Sequence, residues 1–142
     1  ASHDEVVESA KTAQAYDFIS KKELKFDEPI GEGGSNVSGG QKQRLSIARA
    51  LVRKPEIYIF DDSFSALDFK TDAILRAELK KETADAIVLI VAQRIGSIME
   101  ADKIIVLDEG KVVGCGKHKE LLKSCSVYKE IALSQLTEEE LA

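Results

Sequence analysis

Ser38-Gly39-Gly40 stands directly before a segment with helical spacing that runs on to Leu51. A hydroxyl residue in that place is an N-cap, and the two glycines form the first exposed turn. Amides at a helix start have no intrahelical acceptor and sit at the positive end of the helix dipole, and glycine has no Cβ to hold a ligand off. The chemistry on offer is anion binding, with Lys42 and Arg44 adding positive charge nearby. An ordinary glycine-rich loop leading into a helix contains the same three residues, so the tripeptide alone leaves both readings open. Farther on, Ile57-Tyr58-Ile59-Phe60 is a short apolar run rich in strand formers, and it ends on Asp61-Asp62. Carboxylates at the end of a parallel strand buried on both faces lie where α/β folds place ligands, although a paired aspartate is also a turn signal. Ile87 to Ala92 makes a second buried strand, and the residue at its end is Gln93.

The sixteen residues Asn36 to Leu51 closely resemble the signature motif of ATP-binding-cassette (ABC) ATPases, including Gln41 and the Gln-Arg-Leu-Ser-Ile-Ala-Arg-Ala-Leu helix behind it. The resemblance implies that Ser38, Gly39, Gly40 and Gln41 close over the γ-phosphate of ATP held by the partner domain of a dimer, not by this chain. Ile57 to Asp61 resembles the family's Walker B strand, which implies that Asp61 helps hold Mg²⁺ beside the β- and γ-phosphates. The following position in the family usually carries a glutamate that orients or deprotonates the attacking water. Here it is Asp62, a carboxylate drawn back by one methylene, and a misplacement of about 1 Å costs on the order of 10² in rate. Ser65-Ala66-Leu67-Asp68 resembles the D-loop, which touches the partner subunit. Without the family, Asp68 is an N-cap for the helix carrying Ala73, Ile74, Ala77 and Leu79, and both roles hold together. Gln93 stands where ABC ATPases usually place a switch histidine; glutamine still donates a hydrogen bond to a γ-phosphate but carries no proton or charge near neutral pH. His118 does not replace it, because Gly116 to Leu122 resembles a surface helix start common in exporters and His118 reads as structural.

The elements that must position these groups follow from spacing. Ser2-x-x-Glu5 has the form of a capping box, and Val6, Val7, Ala10, Ala13 and Phe18 predict a first helix from about Asp4 to Ile19, with His3 facing solvent. Pro29, Gly31, Gly33, Gly34 and Asn36 make Ser20 to Val37 an irregular loop. Glu32 within it is either plain solvated polarity or, by resemblance, part of the loop through which ABC exporters contact their membrane domain. The signature helix is expected to run to about Lys54, where Pro55 stops it. Ile104 to Leu107 predicts a third strand, turning through Asp108-Glu109-Gly110-Lys111 into an antiparallel arm at Val112-Val113. Helical segments are expected from His118 to Lys123 and from Val127 to Leu136.

With 142 residues the chain is the size of one domain. Its net charge of −5 argues against a general nucleic-acid binder, and no nucleic acid is expected as a partner. Glu138-Glu139-Glu140 is a solvated tail, and Cys115 and Cys125 are reduced thiols without a functional spacing. The longest apolar run, Ala86 to Ala92, is far short of the roughly 20 residues that span a bilayer. A P-loop, Gly-x-x-x-x-Gly-Lys-Ser/Thr, is not found.

The expected fold is therefore α/β: a P-loop NTPase-like, largely parallel sheet with flanking helices plus the ABC helical subdomain, incomplete because the P-loop half is absent. Residues 1–54 are assigned to the helical subdomain and signature helix, and 55–142 to the rest of the ATPase core. The resemblance implies part of an exporter ATPase using ATP and Mg²⁺, partnered by a second nucleotide-binding domain and by transmembrane domains at the cytoplasmic face of the membrane. Asp62 and Gln93, beside an intact Ser38-Gly39-Gly40-Gln41, resemble the degenerate-site member of a heterodimeric exporter. A non-catalytic ATP-binding regulatory module and a soluble non-transport ABC ATPase are the alternatives. The chain alone is expected to be inactive and to self-associate.

Overall fold

The computed structural model describes residues 1–137 and Glu139, and it separates into two compact units, Ala1–Val91 and Ala92–Ala142. The boundary assigned at 54/55 falls inside the first unit. Glu138 and Glu140 of the acidic tail lie outside the described residues.

The first unit opens with α1 (His3–Thr12), whose capping box is formed as expected: Ser2 Oγ accepts from the Glu5 amide and Glu5 from the Ser2 amide. The single helix predicted to Ile19 is instead two, because α1 stops and α2 (Tyr16–Ser20) restarts after a turn. Gln14 takes φ +55°. Its amide donates to Lys11 O and that of Ala15 to Ala10 O, the bond pair that closes a Schellman C-cap. Glycine usually fills that left-handed position; a glutamine there gave no stop signal in the sequence. The turn lets Ala13 and Ala15, both fully buried, enter the core.

After an irregular stretch containing two short 3₁₀ turns comes α3 (Gly39–Leu51), capped by Ser38. It ends short of the expected Lys54, the last bonds tightening to Arg53 N–Ala50 O and Lys54 N–Leu51 O before Pro55. β1 (Ile57–Asp61) pairs in parallel with β2 (Ile87–Val91), with Tyr58 beside Val88 and Phe60 beside Ile90. Between them runs α4 (Phe69–Glu82), capped by Asp68 as predicted. Its buried residues are Leu75 and Leu79, while Ile74 faces outward.

Tyr58 and Phe60 pack into one core with Ile47 and Leu51 of α3 and Leu75 and Leu79 of α4. The opposite face of the pair is open, which corrects the expectation of two strands buried on both sides. Ile59 is 67% exposed and Ile87 66%, and Ile57, Leu89 and Val91 are exposed beside them. The reason is layering: within the first unit α3 and α4 cover one side of the sheet and no described element of that unit covers the other. Arg49 of α3 and Arg53 just after it join Ile57 and Ile59 of β1 along an open groove of about 630 Å³.

In the second unit β3 (Ile104–Asp108) and β4 (Lys111–Gly116) form the expected antiparallel hairpin. Glu109 and Gly110 both have positive φ, the requirement of a type I′ turn. Helices α5 (His118–Ser124) and α6 (Ser126–Leu133) follow, and Leu121, Cys125, Tyr128 and Ala132 pack with Ile104 and Val106. Gly114 is needed for this contact, since a Cβ there would sit 2.9 Å from Cys125 Sγ. His118 is buried with Nδ1 2.7 Å from the Tyr128 hydroxyl, in keeping with a structural role. Cys115 is exposed, Cys125 buried, and both are free thiols.

Candidate functional site

At the start of α3 the cap is reciprocal: Ser38 Oγ accepts from the Gln41 amide at 3.2 Å, and the Ser38 amide donates to Gln41 Oε1 at 3.0 Å. This box uses the amides of Ser38 and Gln41 and leaves those of Gly39 and Gly40 as the helix's unpaired donors. Ser38 and Gly39 are exposed. The two glycines are not equivalent. A Cβ on Gly40 would lie 2.9 Å from the Ala66 carbonyl oxygen, whereas one on Gly39 meets only Ala66 Cβ at 3.6 Å. Gly40 is thus demanded by this chain's own packing, and Gly39 is the open cradle.

Arg44 brings its positive charge close to that cradle, as expected, but is engaged within the chain. It is half-buried, donating from Nε to Gly40 O at 3.2 Å and from Nη1 to Gln14 O at 2.7 Å, with its guanidinium 4.9 Å from the Phe18 ring centre. These contacts fix α3 to the turn after α1. Lys42 is exposed and keeps the role of a nearby positive group.

Asp61 and Asp62 stand at the carboxyl end of β1, as expected. Asp61 pairs with Val91 across the parallel ladder, and the Asp62 amide donates to Val91 O at 3.1 Å. Asp62 turns sharply there, with φ +46°, a left-handed conformation that aspartate tolerates better than most residues at a cost on the order of 1 kcal/mol. Its Oδ2 accepts from Ser65 Oγ at 3.0 Å. The turn is also held from α3 by a residue that sequence reasoning passed over. Gln43 Nε2 donates to Asp62 O and to Ser65 Oγ, each at 3.0 Å, and Gln43 Oε1 accepts from the Ala66 amide at 3.0 Å. Its place inside the helix carried no signal, because a long-range bracket has no local pattern.

Asp68 accepts from the Thr71 amide at 2.9 Å and the Thr71 hydroxyl at 2.7 Å, and these bonds hold its carboxyl below its ordinary pKa. Phe69 beside it is 88% exposed. Gln93 belongs to the second unit and is exposed. Its carbonyl accepts from Gln135 Nε2 at 2.7 Å, while Gln135 Oε1 accepts from the Ile95 amide at 2.9 Å, so the residues just after α6 fix the loop that carries it.

The chemistry of the donor set suits a magnesium nucleotide. Among the described residues no three metal-type side chains cluster, but Mg²⁺ in phosphate sites takes one or two carboxylates, with phosphate oxygens and water completing its shell. Asp61 would be such a carboxylate, and the amides of Gly39 and Gly40 at an open helix start would suit phosphate oxygens.

By these parts the first unit falls in the class of α/β folds whose ligands sit at the carboxyl ends of parallel strands. The family model for ABC transporters matches residues 1–65. An uncharacterised ABC transporter ATP-binding protein of Bacillus subtilis is 45% identical over 98% of this chain and 24% of its own length. The leukotoxin export ATP-binding protein of Aggregatibacter actinomycetemcomitans is 45% identical over 84% of this chain and 17% of its own. The structure of a bacterial Atm1-family ABC exporter with ATP bound superposes with a TM-score of 0.90 at 36% identity, covering 97% of this chain and 24% of that one. The chain belongs to the ABC transporter ATP-binding family, and it spans about a quarter or less of the length of these relatives.

Proposed function

We propose that this chain is part of the ATP-binding domain of an ABC exporter, and that its signature stretch completes the ATP site of a partner domain. The observation that carries the reading is the asymmetry at the start of α3, where Gly40 is filled by the chain's own Ala66 and Gly39, with Ser38, is left open to an incoming phosphate. Export is supported by the relatives, one of which is a leukotoxin export protein and another an Atm1-family exporter. Asp61 would hold Mg²⁺ with phosphate oxygens. ATP bound at this chain's own site supplies the phosphoryl group; Asp62 orients the attacking water, and Gln93 donates a neutral hydrogen bond to the γ-phosphate.

Asp62 and Gln93 also make this the slower of two sites in a heterodimer, opposite a faster one served by Ser38, Gly39 and Gly40. The regulatory module is the second reading, favoured by the same two residues. ATPase assays of the full-length transporter with its partner separate the two, since a regulatory module binds ATP without turnover. Glu32 is exposed on the loop proposed to meet the membrane domain, and on that reading the chain works at the cytoplasmic face. No helix among the described residues is long and apolar enough to cross a membrane.

Two outcomes are expected of the chain on its own. It binds ATP-Mg weakly, because without P-loop amides and lysine most charge-assisted donors are missing; a micromolar dissociation constant by calorimetry contradicts this. It also self-associates, since β2 pairs only with β1 among the described residues and leaves its other edge and an apolar face open. Light scattering at high concentration that shows a clean monomer removes that claim.

A further inference from the structure

The start of α3 and the turn after β1 are joined by more than packing. Gln43 makes three hydrogen bonds to that turn, at Asp62 O, Ser65 Oγ and the Ala66 amide, and one helical turn earlier Gly40 lies against the Ala66 carbonyl with no room for a Cβ. An amide side chain is the group for this bracket, because its oxygen takes the Ala66 N–H while its nitrogen supplies both donors; glutamate has no donor and methionine has neither.

We propose that Gln43 is a positioning residue that registers the open amides of Gly39 and Gly40 against the Asp62–Ala66 turn, so that the phosphate-facing helix start and this chain's own carboxylate loop move as one body. The proposal rests on the reading that Ser38 and Gly39 act on ATP held by a partner. The Gln43 amide is spent on Asp62 O, Ser65 Oγ and the Ala66 amide. It acts through the turn, which also holds Asp62 in its left-handed conformation. Without the bracket the helix start keeps its own cap, formed by Ser38 and Gln41, and loses only its registration.

The test uses the full-length transporter assembled with its partner. Gln43→Met keeps the length and helix propensity of the side chain and removes all three bonds. Turnover is expected to fall about tenfold, within the range that a displacement of about 1 Å produces, with KM for ATP unchanged within about twofold. Vanadate-trapped nucleotide on the partner chain falls in parallel, while the melting temperature stays within about 2 °C. Gln43→Glu, which keeps shape and acceptor but brings a carboxylate to the Asp62 carbonyl, falls at least as far. Wild-type trapping in either variant overturns the proposal, and so does a loss of trapping matched by a loss of nucleotide occupancy and melting temperature, which is the mark of damaged folding. Gly39→Asp in the same preparation tests the underlying reading separately. Collapse of turnover in Gly39→Asp beside wild-type turnover in Gln43→Met sinks only the bracket, whereas unchanged turnover in Gly39→Asp sinks the reading beneath it as well.

Discussion

Replacing Gly39 with Asp in the full-length transporter, assembled with its partner, is expected to reduce ATP turnover by on the order of 10² or more, the value of donors aimed at charge developing on a transferring phosphoryl group. The new side chain enters the open cradle and sets a negative charge at the positive end of α3. Gly39 is the position to change. A Cβ there meets only Ala66 Cβ at ordinary contact distance, whereas at Gly40 it would strike the Ala66 carbonyl at 2.9 Å, so a loss of activity at Gly40 would mix catalysis with distortion of the Asp62–Ala66 turn. Steady-state hydrolysis is the measurement, with nucleotide occupancy of each chain followed by photo-crosslinking. Occupancy of this chain's own site should be unchanged, because Asp61 and Asp62 are untouched. Unchanged turnover would leave the regulatory module as the better account.

The second large effect is a gain. Asp62→Glu together with Gln93→His should raise hydrolysis at this chain's own site by up to about 10², if the retracted carboxylate and the uncharged switch residue are what slow it. The local backbone tempers the first half of that change. Asp62 sits at φ +46° and receives the Ser65 hydroxyl, and glutamate is less at ease in the left-handed region than aspartate. The gain therefore depends on Gln43 and Ser65 continuing to hold the turn. Single-site turnover opposite an intact partner signature measures it, and a flat response there would mean that another feature silences the site. Opposite a degenerate partner signature the rise should be small.

Local chemistry was readable where one residue type has one job. Ser38, Asp68 and Ser2 cap their helices as their spacing predicts, and Asp61-Asp62 falls at the end of its strand. What escaped was set by distant parts of the chain. The anchoring of Arg44 had no signal, because nothing nearby in sequence shows that Gln14, far upstream, offers it a carbonyl. The same turn ended α1 early with glutamine in a place where glycine is the usual signal. Ile57, Ile59, Ile87 and Leu89 read as buried because periodicity reports apolar character and not how many layers are present to cover it. Gln43 and Gln135 each fix a site loop through side-chain amides, and an amide's partners cannot be inferred from its neighbours.

That the open helix start serves ATP bound by another chain is tested most directly by a photoreactive ATP analogue carrying its label at the γ-phosphate. The analogue is added to the assembled full-length transporter, and the labelled peptides are mapped. The expected result is labelling at Ser38 to Gln41 of this chain that disappears when the partner's P-loop lysine is replaced and persists when this chain's own nucleotide site is disabled. Labelling that instead follows this chain's own site, and ignores the partner's lysine, would contradict it.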